Sequence, residues 1–232
     1  VRSAHLGRLG VASAVLIMAS AGGVFAPAAS AALALGGGAG IIVDGSYCTL
    51  TTIGHDKAGE MVGFTAASCG GPDSPVVAEG SEGLGPVGTV VAIADDPRLN
   101  YSVIKFDPAK VTPIPNFAGF VIDGVGPEPE RGQPVCRLGA ATGDFCGHKS
   151  SFDGPGPHMG TGGGNYLPGD NGAPVTADGL LVGLVTGGLF LPPSGVISNT
   201  PRQLIYTTKF SAILDEVNAG TGPGAGFTPI GS

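Results

Sequence analysis

Val135-Cys136-Arg137-Leu138-Gly139-Ala140-Ala141-Thr142-Gly143-Asp144-Phe145-Cys146-Gly147 begins with a short apolar run, Val135–Leu138. It then crosses small turn residues to a second cysteine. Read as a strand entering a hairpin, it sets the pattern for the chain: brief Val/Ile/Leu-rich runs bounded by glycine, proline and other turn formers. Outward from it, the same reading gives strands at 41–43, 47–53, 61–65, 87–94, 101–106, 119–122, 180–186 and 204–207. The 43 glycines and 20 prolines among 232 residues could signal disorder. However, 42% of residues are apolar and they fall into these runs, which fits an all-β protein with many tight turns.

Asp123–Gln133, DGVGPEPERGQ, has proline, glycine and charge and little to bury, so it reads as a linker between two β-rich halves. Near the end, Phe210, Ile213, Leu214 and Val217 share one helical face, predicting a helix over 209–217 with Thr207 or Thr208 as its cap and Gly220 beyond it. Residues 219–232, AGTGPGAGFTPIGS, read as a flexible tail. At the other end, Arg2, His5 and Arg8 precede an apolar run from Leu9 to Phe25 and the small-x-small triplet Ala29-Ser30-Ala31. This is the pattern of a secretory signal, with cleavage expected after Ala31 and an uncleaved anchor as the alternative. Residues 32–40 would then be a short lead.

Without residues 1–31 the chain carries 9 Lys+Arg against 18 Asp+Glu, a formal charge of −9. That balance argues against nucleic acid and against an anionic membrane surface as partners. Cys48, Cys69, Cys136 and Cys146 are an even set, which in an exported chain suggests two disulfides; three pairings are open, and the local one gives each half its own staple. No CxxC or other metal-ligand spacing occurs, so neither a metal nor a cofactor is expected.

Five segments, in order, resemble the chymotrypsin-like serine proteases, and the bacterial streptogrisin-like branch in particular. Gly63-Phe64-Thr65-Ala66-Ala67-Ser68-Cys69 is similar to the T-A-A-H-C turn. Asn100-Tyr101-Ser102-Val103-Ile104 is similar to the D-Y-A-L-I strand. The 135–147 hairpin is similar to V-C-R-S-G-x-T-T-G-x-x-C-G. Pro168-Gly169-Asp170-Asn171-Gly172-Ala173-Pro174-Val175 resembles the G-D-S-G-G-P-V loop. Gly183-Leu184-Val185-Thr186-Gly187-Gly188 resembles the strand ending in S-G-G. The likeness spans roughly 41–217.

It implies two six-stranded antiparallel β-barrels, about 41–122 and 134–208, and the disulfides Cys48–Cys69 and Cys136–Cys146. It also implies a buried Arg137–Asp170 ion pair, an oxyanion loop at Gly169, Asp170 and Asn171, and a peptide-binding strand at Thr186, Gly187 and Gly188. At the three triad positions it places Ser68, Asn100 and Asn171, where general base, orienting acid and nucleophile would stand. A hydroxyl does not titrate near neutral pH, and a carboxamide neither carries charge nor attacks a carbonyl.

The resemblance thus implies an exported, monomeric protease homologue that binds a peptide or protein ligand in its cleft without cutting it. The alternative is a weak hydrolase with a relocated nucleophile or base. Ser68, the loop histidines His55, His148 and His158, and Asp95, Asp96 or Asp107 are its candidates.

Overall fold

The computed structural model describes residues 31–150, 156–191 and 202–232. The expected signal segment 1–31 lies outside them but for its last residue. In chain order the strands are β1 Leu33–Leu35, β2 Gly40–Val43, β3 Ser46–Thr49, β4 Thr52–His55, β5 Met61–Ala66, β6 Pro75–Ala78, β7 Gly88–Ile93, β8 Tyr101–Phe106, β9 Val111–Pro113, β10 Asn116–Phe117, β11 Phe120–Val121, β12 Gly124–Val125, β13 Pro134–Gly139, β14 Gly143–Lys149, β15 His158–Gly162, β16 Pro174–Ala177, β17 Leu180–Leu191, β18 Arg202–Lys209 and β19 Thr228–Pro229. One helix, α1, spans Phe210–Ala219.

The architecture is all-β. In the C-terminal half, β13, β14, β15, β18, β17 and β16 pair in a ring, because β17 and β18 close the circuit. Closure leaves the ring without an end strand, although β17 runs on past its pairing with β16, which stops at Leu184. The N-terminal half is a half-barrel sheet in the order β19-β4-β5-β8-β7-β6-β2-β3, whose end strands do not pair. Its core is built from fully buried Ile41, Leu50, Phe64, Val90, Ile104 and Phe106, while Met159, Val185 and Ile205 fill the C-terminal barrel. The two expected disulfides are formed: Cys48–Cys69 pins β3 to the turn after β5, and Cys136–Cys146 links facing residues of β13 and β14.

The segments read as a lead, a linker and a flexible tail are drawn into this framework. The 32–40 lead is not outside the fold: β1 pairs in parallel with β9, Leu33 facing Val111, and Leu35 and Ala39 are buried. The 123–133 linker contributes β12, which pairs in parallel with the start of β17. Glu128 within it receives Lys149 Nζ at 2.6 Å and Lys209 Nζ at 2.9 Å. The tail is likewise packed. Ala225 and Phe227 are buried, β19 pairs with β4, and Phe227 meets Phe64 and Phe210 edge to face, with centroids 4.9 Å and 6.2 Å away. One aromatic side chain and a two-residue ladder hold a segment whose composition argues for disorder. The helix forms as its apolar spacing requires, burying Phe210, Ile213 and Val217, but Lys209 rather than Thr207 or Thr208 holds its N-cap position, with no side-chain cap bond. Gly220 follows it.

Candidate functional site

The turn after β5 is a single 3-10 turn, Ala67–Cys69, that leaves Ser68 exposed. Asn100, just before β8, sits in the left-handed region at φ 47°, which asparagine adopts more readily than most residues. From there it accepts the Ser68 N–H on Oδ1 at 3.0 Å and the Ala67 N–H on its carbonyl at 3.1 Å. Its carboxamide oxygen is thus already engaged in holding the turn.

Asn171 follows a second 3-10 turn, Pro168–Asp170, on the C-terminal barrel. The N-terminal sheet grips this loop through a row of threonines. Thr49 donates its N–H to Asn171 O at 2.8 Å and its hydroxyl to Gly169 O at 2.8 Å, and Thr51 donates to Gly172 O at 2.6 Å. Gly172 has φ 89°, and a side chain there would run into Thr49 O and Thr65 Oγ1, so the seam requires glycine. Cys69 Sγ lies 3.9 Å from Asn171 O. Ser68, Asn100 and Asn171, distant in sequence, therefore meet at one seam between the two halves.

The loop does not present the expected pair of oxyanion donors. Asn171 donates its N–H to Pro168 O at 3.1 Å, completing the 3-10 turn; of the loop's 169–173 N–H groups, only that of Gly169 has no partner among the described residues. A hole that stabilises an oxyanion needs donors free and converging, so that expectation is corrected.

The expected Arg137–Asp170 ion pair is also not made directly. Asp170 is fully buried, and its carboxylate accepts the N–H groups of Ala141, Thr142 and Leu167 and the hydroxyl of Thr142, at 2.9–3.2 Å. Four donors fill a carboxylate's acceptor sites, which leaves no room for a guanidinium. Arg137, also buried, donates to Gly163 O at 3.2 Å and to Asn165 O, and lies over the Phe145 ring at 5.0 Å. Burial pulls its pKa below the usual guanidinium value, while the charge of Asp170 acts from a distance in the opposite sense.

The strand at Thr186, Gly187 and Gly188 is part of β17, and a bulge between Val185 and Gly187 takes Thr186 out of the ladder with β18. Thr186 Oγ1 lies 3.4 Å from Tyr206 O, and no described residue comes within 4 Å of a Cβ placed on Gly187. Gly188 is covered: a Cβ there would lie 2.6–3.0 Å from the Tyr166 side chain. Tyr166 also donates its phenol to Asn171 Oδ1 at 2.9 Å. Its backbone N–H goes to Gln203 Oε1 at 2.8 Å, and Gln203 Nε2 returns a bond to Tyr166 O at 3.3 Å. Burial first, and the Asp170 charge second, raise the Tyr166 phenol pKa, with the Asn171 bond opposing. Neither residue stands out by sequence motif. The available signal was a lone aromatic after Gly162-Gly163-Gly164-Asn165 and just before the 168–175 motif.

The relocated-base candidates are elsewhere. His55 ends β4, exposed and opposite Met61 and Thr228, rather than in a loop; His148 is exposed on β14. His158 opens β15, also not a loop, with Nδ1 3.4 Å from Thr208 Oγ1 and a pKa lowered by burial and then by Arg98. Asp96 binds Arg98, the Asp95 and Asp96 N–H groups bind Glu216, and Asp107 takes the Ala109 N–H. Among the described residues, no histidine or aspartate side chain hydrogen-bonds Ser68, Asn100 or Asn171. A groove of about 600 Å³ between Phe120 and the Cys136–Cys146 hairpin has none of Ser68, Asn100 or Asn171 in its lining.

No protein-family model matches the chain, and no curated protein is similar to it. Solved structures are. Thermobifida fusca protease A superposes with a TM-score of 0.61 at 20% identity, over 79% of this chain and 95% of its own. The Nocardiopsis protease gives 0.60 at 16% identity, over 79% and 96%. The Cellulomonas bogoriensis chymotrypsin gives 0.57 at 20% identity, over 79% and 95%. By these superpositions, and with its closed β-barrel, half-barrel sheet and closing helix, the chain has the fold of the bacterial chymotrypsin-like serine proteases.

Proposed function

We propose that this protein is a secreted protease homologue without proteolytic chemistry, which binds an extended peptide or protein segment along Thr186–Gly188. The observation that carries this reading is the Ser68–Asn100–Asn171 seam. Among the described residues no histidine side chain bonds it, the Asn100 amide is bonded to the Ser68 backbone, and the Asn171 N–H is bonded to Pro168 O. Peptide hydrolysis needs a base near the nucleophile and donors for the oxyanion, and neither is assembled here. β17, unpaired by β16 beyond Leu184, keeps an edge at which an extended chain could add as a strand. Two disulfides and an N-terminal segment of signal-peptide character fit an oxidising, extracytoplasmic setting. Acidic net charge argues against nucleic acid as the partner.

The test measures hydrolysis of casein and of a mixed fluorogenic peptide pool by the purified protein, beside Ser68→Ala and the triple variant Ser68→His, Asn100→Asp, Asn171→Ser. Retention of unlabelled peptides by the immobilised protein is measured in parallel. Binding without turnover is the expected result. Turnover by the natural chain that Ser68→Ala abolishes would overturn the reading in favour of a relocated nucleophile.

A further inference from the structure

Tyr166 is held at four points. Its N–H and C=O are both satisfied by the one carboxamide of Gln203, its ring lies against Gly188, and its phenol donates to Asn171 Oδ1. A residue with both backbone groups met by an acceptor and a donor on the receiving surface, and its side chain laid along a glycine, is bound as a residue of an added peptide would be. The contacts on Gly188 and Asn171 belong to the strand and the seam on which the proposed ligand would lie.

The segment that carries Tyr166 is clamped from behind. Arg137 donates to the carbonyls of Gly163 and Asn165, and its guanidinium stacks over Phe145. Gly164 is packed between them: any Cβ there would lie 2.6 Å from Arg137 Nη2 and 2.8 Å from the Phe145 ring. Gly164 has φ 73°, a conformation that lets the chain turn between the clamp and the tyrosine. Next to Tyr166, Leu167 is 52% exposed, and Leu189, next to Gly188 on β17, is 42% exposed. Both flank the covered position with apolar surface open to water.

Resting on the peptide-binding reading above, we propose that Tyr166 is a resident occupant of the ligand site, and that the site's preferred side chain is an aromatic one bearing a hydrogen-bond donor. The pocket is shaped by what fills it. Gly188 supplies a flat floor without a side chain, and Asn171 Oδ1 supplies an acceptor at the distance of a phenol from its backbone. Gln203 supplies an acceptor and a donor for one residue's main chain. An external tyrosine-bearing segment competes with Tyr166 for the same four contacts, so its apparent affinity is reduced by the fraction of time the site is open. Asn171 is thereby a specificity residue of this site, and Arg137 positions the segment that closes it.

The experiment titrates the full chain, Tyr166→Ala, Tyr166→Phe and Gln203→Ala with N-acetyl-tyrosine amide, N-acetyl-phenylalanine amide and N-acetyl-leucine amide, followed by amide chemical-shift changes in NMR spectra. Tyr166→Ala should bind the tyrosine amide at least about tenfold more tightly than the natural chain, as a site freed from a competing occupant. The shifts should centre on Gly188 and Gln203. It should prefer the tyrosine over the phenylalanine amide by about fivefold, the worth of one net hydrogen bond, and Asn171→Leu should erase that preference. Tyr166→Phe, which gives up the bond to Asn171 Oδ1 but keeps its ring on Gly188, should show a smaller gain, and Gln203→Ala, which strips main-chain contacts from occupant and ligand alike, should show none, so the proposal does not hang on one variant. Equal binding by all variants, no aromatic preference, or shifts elsewhere would overturn it. If the natural chain retains extended peptides as well as Tyr166→Ala does, the occupant is refuted and the binding reading stands. If Tyr166→Ala takes the tyrosine amide but no extended peptide, the occupant stands and the binding reading fails.

Discussion

Replacing Phe227 with alanine should cost the fold heavily, although Phe227 lies in a segment rich in glycine and proline. The side chain is only 7% exposed, and its ring meets Phe64 and Phe210, both fully buried, at interplanar angles of 79° and 69°. Truncating a buried phenylalanine removes its transfer free energy and leaves a cavity, together about 4 kcal/mol. Little of that is recovered by collapse, because the opposing wall is the rigid β4–β5 pair of the half-barrel sheet. For a domain of this size each kcal/mol moves the melting temperature by about 3 °C, so Phe227→Ala should melt about 12 °C lower. Phe227→Leu, which keeps most of the apolar volume, should lose about half as much. Differential scanning calorimetry and urea titration at fixed pH and protein concentration would measure both. The urea m-value should stay unchanged if the native state is only destabilised. A loss below about 0.5 kcal/mol, the range of ordinary surface substitutions, would refute the packing role of the tail.

Arg137→Ala should destabilise the fold by about 3 kcal/mol in urea denaturation, because it removes the charged hydrogen bonds of a buried guanidinium to the carbonyls of Gly163 and Asn165 and uncovers Phe145. Arg137→Lys should not restore it, since a single ammonium cannot match the planar fork. Acid stability should carry a signature of Glu128. Burial pushes its pKa up, but the bonds to Lys149 and Lys209 outweigh that and hold it below its ordinary 4.5. A depressed carboxylate lends stability that is complete above its unfolded pKa and is lost as pH falls through the folded one. The urea midpoint of Glu128→Gln, measured from pH 6 down to pH 3, should therefore lie below that of the natural chain at pH 6 and converge on it below pH 4.5.

Sequence pattern carried the fold class and the hairpin that fixes it because both are written locally. The run Tyr101–Phe106 forms β8 as read, and Val135–Leu138 lies within β13. What escaped depends on partners far along the chain. Met159-Gly160-Thr161-Gly162 has poor strand propensity, yet it is a full barrel strand because β14 and β18 pair with it from both sides. Tyr47–Ile53 reads as one strand but breaks into β3 and β4, since Leu50 turns inward to donate its N–H to Ala39 O. At the site, the residues were legible and their bonding was not. Asp170 finds its partners in the backbone of the 141–142 turn, a choice of hydrogen-bond geometry to which residue type gives no clue. Tyr166 sits outside every motif, and its place is set by the Arg137 clamp behind it.

The tail and helix α1 have a consequence for how the chain is made. Phe210, Ile213, Val217, Ala225 and Phe227 all complete the core of the half-barrel sheet whose other strands come from the first half. That core stays unfinished while synthesis proceeds, and its open face waits for residues translated after the whole C-terminal barrel. The N-terminal half, expressed alone, would lack its closing wall. Folding must bridge the intervening C-terminal barrel, a topology that slows assembly and leaves the early strands dependent on protection until α1 and β19 emerge.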